Sequence, residues 1–387
     1  MQTEHKPFQT GHVTSVAATH LLHDAYSSFF APLLPLLNEK LGLTYAVAGM
    51  LSVVQRLPAL LNPLIGIIAD KMVIRSAIIL APLLTIFSMG MLGRASSVAV
   101  LAILMFVCGI SAAVYHVTAP ILMRRVSGDR VGRGMSFFMF GGELARTLGP
   151  LMITAAVSWW GLEGTWRLIP FGLVASLLLF LNLRTIDKDG LRRFTVTDKQ
   201  PLLNSLHDFA PFFKRLFPIM LFRGFSKTAL GLFLPSYMVD AGYTFKTAAV
   251  ALAVLELAGA GGALLAGTWS DKAGRKNLLI GIMSVSPLLM VLFTLSSGIF
   301  LWLMLVLMGI VFFSATPVFM AMIHDLNSDR PSLANGMYMT ISFVVGSIIA
   351  LLVGISADHY GLVITYQLTA LLGLLAIPPT LLMPRKL

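Results

Sequence analysis

A small set of ionisable side chains lies inside long apolar runs of this chain, and their types and spacing suit proton transfer and anion binding. His20, His23 and Asp24 are set at i, i+3 and i, i+4 spacing, which puts all three on one helical face. Histidine titrates near physiological pH, and a buried carboxylate can be brought into the same range, so Asp24 with His20 and His23 is the first candidate for proton coupling. Glu143 and Glu256 are the other membrane carboxylates that could carry a proton. Arg56, His116, Arg146, Arg223 and Lys227 are candidates for substrate binding. Arginine grips a carboxylate, phosphate or phosphonate in a bidentate fork. If all are ionised, the four Arg and Lys exceed Asp24, Glu143 and Glu256 by one positive charge, which points to an organic anion as ligand. The competing explanation is structural: Glu143–Arg146 and Glu256–Lys227 as ion pairs, and the histidines as hydrogen-bonded helix contacts.

These residues matter because of where they sit. Of 387 residues, 57% are hydrophobic and 12% charged, with a mean hydropathy of +0.85. Soluble proteins carry about twice that share of charge, so a soluble enzyme, a nucleic-acid binder and a disordered scaffold are all excluded. A charge at the bilayer centre costs ~2.5–3.5 kcal/mol even on insertion scales, so each must face a partner or water. The single cysteine, Cys108, lies in an apolar run and permits no internal disulfide. The first apolar run holds His20, His23 and Asp24, unlike a cleaved signal segment.

The elements that must position the charges are membrane helices. About 20 apolar residues make one span, and the apolar runs predict twelve. They cover 11–37, 43–69, 75–93, 97–124, 133–157, 165–183, 214–238, 246–270, 276–296, 299–324, 334–355 and 362–383. Residues 1–183 form an N-terminal six-helix bundle, 184–213 a charged cytoplasmic linker and 214–387 a C-terminal six-helix bundle. Prolines such as Pro32, Pro35, Pro63, Pro235 and Pro317 are expected to bend their helices. With both termini in the cytoplasm, about twenty Lys and Arg fall inside and about four outside, as the positive-inside rule requires. The formal charge of +11 is thereby explained without nucleic acid.

A shift of about 200 residues lays the second half on the first. Leu34-Pro35 falls on Leu234-Pro235, Leu41-Gly42 on Ala241-Gly242, Thr44 on Thr244, and Gly109-Ile110 on Gly309-Ile310. Parallel six-helix repeats are the framework of a rocking transporter. Gly267, Asp271, Lys272, Gly274, Arg275 and Lys276 form a tight basic loop. A degraded copy with Gly66, Asp70, Lys71 and Arg75 sits at the repeat position without the second glycine.

This loop resembles the signature of the major facilitator superfamily, Gly-x-x-x-Asp-Arg/Lys-x-Gly-Arg-Arg/Lys. A narrower resemblance to the fosmidomycin-resistance efflux subfamily rests on three segments. They are His20-Leu21-Leu22-His23-Asp24, Ser111 to Pro120 with His116 and Pro120, and Phe140 to Pro150 with Gly141, Gly142, Gly149 and Pro150. Val117, Thr118 and Ala119 separate His116 from Pro120, and Glu143 and Arg146 add charge, both departures from the subfamily pattern. The resemblance implies an all-α membrane protein of twelve transmembrane helices in two pseudo-symmetric halves, with spans 1, 4, 7 and 10 around a central cavity. It also implies that the two basic loops latch a cytoplasmic gate, and that the fifth-span motif belongs to antiporters.

The expectation is a secondary transporter of the inner membrane, exporting a small organic anion or drug-like compound against protons. Proton-coupled uptake of an organic anion and a non-transporting sensor or assembly factor are the alternatives. Its partners are a small molecule, protons and lipid, and the chain is expected to act as a monomer. No metal-ligand spacing, nucleophile elbow or ATP-binding loop is recognisable, so neither catalysis nor a cofactor nor a metal is expected.

Overall fold

The computed structural model describes residues 7–62, 65, 74–184, 186, 202–326 and 331–384, and every regular element among them is helical. The chain divides into two compact units, Met1–Gly42 with Val54–Val196, and Leu43–Val53 with Thr197–Leu387.

The first expected span is two helices, α1 (Thr10–Ser27) and α2 (Phe30–Leu41). The break falls at Ser28–Phe29 because Pro32 has no N–H to offer the Ser28 carbonyl. In the second span α3 (Tyr45–Arg56) tightens into a 3-10 turn, Leu57–Leu61, that carries Pro58 at its start. The third to sixth spans are α4 (Ile74–Gly90), α5 (Val98–Val126), α6 (Val131–Trp160) and α7 (Leu168–Leu183). The seventh begins as α8 (Leu202–Thr228), well before the expected residue 214, and passes through a π-helical turn, Ala229–Phe233, into α9 (Leu234–Asp240). Pro235 follows the π turn by two residues and has no N–H to offer the Gly231 carbonyl within it. Then follow α10 (Phe245–Ala273), α11 (Arg275–Thr294), α12 (Gly298–His324), α13 (Pro331–Leu374) and α14 (Ile377–Leu381). Gly361, with φ of 79°, breaks α13 between the eleventh and twelfth expected spans.

Among the described residues eight helices are long and apolar enough to cross a bilayer. Their outer surfaces are apolar: Phe171, Leu264 and Ile299 are each at least 64% exposed. Only lipid makes such a surface favourable, and only helices satisfy their backbone within it. Each unit keeps its own core. Val16, Ile78, Ala119, Leu122 and Phe138 are buried together in the first, and Phe212, Leu279, Phe319 and Met322 in the second.

The repeat extends to individual contacts. Gly42 and Gly242 both adopt left-handed φ, 63° and 88°, and two residues later Thr44 and Thr244 cap a helix. The Thr44 hydroxyl accepts from Val47 N–H and that of Thr244 from Thr247 N–H, both at 3.2 Å. A Cβ on Gly109 would collide with the Gln55 carbonyl, and one on Gly309 with the Leu255 carbonyl. The same helix pair therefore packs backbone to backbone in each unit.

Close approach also joins α6 to α1. A Cβ on Gly141 would lie 2.5 Å from the Ala17 carbonyl oxygen, and one on Gly149 would meet the Ala25 carbonyl and the Ser28 hydroxyl. These glycines of the fifth-span motif thus set the distance between the helices that carry the first unit's ionisable residues.

Within the second unit, Asp358 caps the start of α3, accepting from the Tyr45 and Ala46 N–H groups at 2.6 and 2.8 Å, while the Tyr45 hydroxyl donates to Asp240 at 2.7 Å. Losing such a cap costs ~1 kcal/mol. Asp358→Ala should therefore speed hydrogen exchange at Tyr45 and Ala46 about fivefold, with Asp358→Asn nearer wild type; unchanged exchange in the alanine variant would refute the capping role.

Candidate functional site

In the first unit Asp24 is the centre of a histidine cluster. His20 Nε2 lies 3.2 Å from Asp24 Oδ2, His23 Nδ1 is 2.9 Å from Oδ1, and His116 Nε2, from α5, is 3.5 Å from Oδ1. The structure thereby brings His116, expected at the substrate, against the proposed proton-coupling carboxylate. His20 and His23 are buried, whereas the side chains of Asp24 and His116 keep 17% and 35% exposure, so the cluster is accessible at these two residues.

The ring orientations are fixed by neighbours. His20 stacks on Phe138 with centroids 3.9 Å apart, and its Nδ1 is 2.7 Å from the Phe138 carbonyl oxygen. A carbonyl only accepts, so Nδ1 carries a proton. Neutral His20 would then aim an unprotonated Nε2 at a carboxylate oxygen. Two acceptors 3.2 Å apart repel, and the contact is favourable only with a cation between them. His23 stacks on Tyr115 at 4.5 Å, and the Tyr115 hydroxyl meets the Thr19 hydroxyl at 2.8 Å. Gly142 makes room for the His20 ring, because a Cβ there would lie 2.6 Å from its Cε1. On α6, one turn further on, Arg146 pairs with Glu143 along the helix.

The second unit holds the other membrane charges. Arg223 is 6% exposed on α8, donates to the Phe312 carbonyl and lies over the Phe319 ring, 5.5 Å from its centroid. Its Nε has no acceptor among the described residues. Lys227 lies one turn along, 5.9 Å from the Phe313 ring centroid, and Phe313 packs into the space left by Gly259 on α10. Glu256 is buried one turn before Gly259. A cavity of about 530 Å³ in this unit, lined by Phe225, Leu352, Leu368, Thr369 and Leu371, has no charged side chain in its wall.

Arg56 is half-buried at the end of α3. In the basic loop Gly274 takes a left-handed φ of 86°, and Arg275 pairs with Asp271 and, at 3.2 Å, with Asp325 beyond α12. Of the degraded copy, Gly66 and Asp70 lie outside the described residues, as does the side chain of Arg75; Gly267 is helical and its surroundings are likewise not described.

Several partners were not singled out by sequence. Tyr115 adjoins His116 and Thr19 adjoins His20, a signal that was legible. The Phe138 carbonyl carries no signal at all, because every residue has one. Asp325 is far in sequence from the loop it braces.

The family model of the Major Facilitator Superfamily matches residues 16–351 and 216–386. The chain is 25% identical over 374 residues to the Fosmidomycin resistance protein of Escherichia coli (strain K12), with 94% of this chain and 91% of that protein covered. Among solved structures, a bacterial homolog of the human lysosomal transporter Spinster superposes with a TM-score of 0.82 at 14% identity, covering 98% and 97% of the two chains. A D-xylose-proton symporter superposes with a TM-score of 0.75 at 15% identity, covering 98% and 99%. At these identities the structural likeness establishes the fold.

Gly142→Ala should displace the His20 ring and lower stability by ~1–3 kcal/mol, the range for overpacking. Gly261→Ala, which meets nothing within 4 Å, should leave the unfolding midpoint in detergent unchanged or slightly raised. Equal midpoints for both variants would show that Gly142 does not shape the cluster.

Proposed function

Because the chain belongs to the Major Facilitator Superfamily and is a multi-pass membrane transporter, we propose that it exports a small organic anion in exchange for protons by alternating access. The observation that carries this reading is the His20–Asp24 contact. Its geometry demands a positive charge between Nε2 and Oδ2, and a proton supplies it when Asp24 or His20 is protonated. His23 and His116 complete a group of imidazoles that can pass the proton on. Glu143, paired with Arg146, and the buried Glu256 are further proton carriers.

The anionic substrate class is supported by Arg223. A buried guanidinium whose Nε lacks an acceptor is poised for an oxygen ligand, and Lys227 adds charge on the same face. Arg56, His116 and Arg146 are additional contacts. A relative named for fosmidomycin resistance fits export of such compounds. Uptake by symport uses the same residues; direction follows from the gradients and from which loaded states can cross over.

The Asp271–Arg275–Asp325 network supports a latch at the basic loop, and the sequence repeat extends that role to Gly66, Asp70 and Arg75. The distribution of Lys and Arg supports cytoplasmic termini in a bacterial inner membrane.

Liposomes with an imposed proton gradient test the reading. Substrate addition, from a panel of phosphonates and carboxylates, should move protons, and Asp24→Asn should abolish the proton flux while leaving ligand binding. Persistent coupled flux in that variant would overturn the coupling assignment. Arg223→Ala should weaken anion binding ~10–100-fold, the value of a charged hydrogen bond of ~1.5–3 kcal/mol, and Lys227→Ala should weaken it less. Wild-type preference for lipophilic cations would overturn the anion assignment.

A further inference from the structure

We propose that His20, His116 and Asp24 bind one divalent transition-metal ion of the zinc type, a ligand beyond the proton and organic-anion chemistry above. One donor atom from each, an imidazole nitrogen from each histidine and a carboxylate oxygen, all lie within 4.8 Å of one another. Two of the separations are 3.2 and 3.5 Å. Zinc bonds to nitrogen and oxygen of ~2.0–2.1 Å, opened to the tetrahedral angle, hold neighbouring donors about 3.3 Å apart. Each nitrogen therefore already stands near a ligand-to-ligand distance from the carboxylate, His20 from Oδ2 and His116 from Oδ1, and a small turn of the Asp24 carboxylate presents one oxygen to both. The remaining separation closes by rotation of His116, the most exposed of the three side chains.

The surroundings orient the donors as metal ligands are oriented. A ligating histidine gives its other ring N–H to a carbonyl or carboxylate, which fixes the tautomer and aims the lone pair. His20 does this through Nδ1 and the Phe138 carbonyl, leaving Nε2 directed at Asp24. His23 supports the carboxylate in the same manner, with Nδ1 at 2.9 Å from Oδ1. The repulsion between His20 Nε2 and Asp24 Oδ2 is relieved by a metal ion as well as by a proton, so the two are alternative occupants of one gap.

Charge agrees. Asp24 contributes a negative charge, and Arg146, which faces His20 and His116 from α6, is matched by its own partner Glu143. Two imidazoles with one carboxylate suit Zn²⁺, Co²⁺ or Ni²⁺, whereas Mg²⁺ and Ca²⁺ take oxygen ligands. Three protein ligands leave a coordination position open. It would lie on the side where Asp24 and His116 are exposed, and water or an anionic oxygen could fill it.

The test uses the full-length protein in detergent with no polyhistidine tag, and needs neither substrate nor gradient. Failure of the transport reading therefore leaves its outcome intact, and the reverse also holds. Zn²⁺ is titrated against a chromophoric chelator. Wild type should bind one ion per chain, His116→Ala and Asp24→Asn should each bind at least ~100-fold more weakly, and His23→Ala should lose ~10–100-fold as an outer partner. His359→Ala, on α13, should match wild type. Wild type with Co²⁺ requires no variant to fold: a visible d–d band of a four- or five-coordinate site should appear and be displaced by one equivalent of Zn²⁺. Absence of that band together with no stoichiometric Zn²⁺ binding would overturn the proposal, as would folded His116→Ala and Asp24→Asn variants that bind Zn²⁺ like wild type.

Discussion

A carboxylate in the middle of an apolar helix is stable only if its surroundings replace water, and the first unit is built around that demand at Asp24. Three imidazoles reach it, two from its own helix and one from α5. The two rings of α1 are held in turn, His20 by Phe138 and His23 by Tyr115. The small residues of α6 follow from the same demand. Gly142 leaves the volume that the His20 ring fills, while Gly141 and Gly149 let α6 approach the backbone of α1 closely enough to bring the Phe138 carbonyl to Nδ1. Acceptors held so close together form a receptor for positive charge, which is why the proposed proton exchange and metal binding both centre on it.

The second unit solves the opposite problem. Arg223 is a buried cation, and among the described residues its neighbours include a carbonyl oxygen and an aromatic face. Such partners satisfy part of a guanidinium and leave part of it for a ligand. The first unit thus centres its histidines on a carboxylate, whereas the second buries a guanidinium against aromatic rings, and each also holds charge of the other sign, Arg56 and Arg146 in the first and Glu256 in the second. The contrast is notable because the backbone scaffolds are copies of each other: the Thr44 and Thr244 caps and the Gly109 and Gly309 contacts recur at 200-residue spacing. The repeat conserves how helices pack, and the side chains carried on it differ.

Much of this was legible in the chain. Hydropathy alone required membrane helices, because 12% charge cannot clothe a soluble surface. The i, i+3 and i, i+4 spacing of His20, His23 and Asp24 determined that they share a face, since helical periodicity needs no tertiary contact. Glu143 and Arg146 could be paired for the same reason. Gly274 and the spacing of Asp271 and Arg275 specified a tight, self-paired loop.

What crosses between helices was decided only by the tertiary structure. His116 joins Asp24 because α5 packs beside α1, and no local spacing encodes that register; the metal-type ligand set was invisible in sequence for this reason. The Phe138 carbonyl, the Asp358 cap on α3 and the Asp325 brace on Arg275 are equally remote. The break between α1 and α2 and the early start of α8 differ from the apolar runs because hydropathy reports what lipid tolerates, whereas helix ends follow from where proline and hydrogen bonding allow the ladder to continue. Periodicity and composition therefore determined the fold and the list of charged residues, and packing determined which of those charges meet.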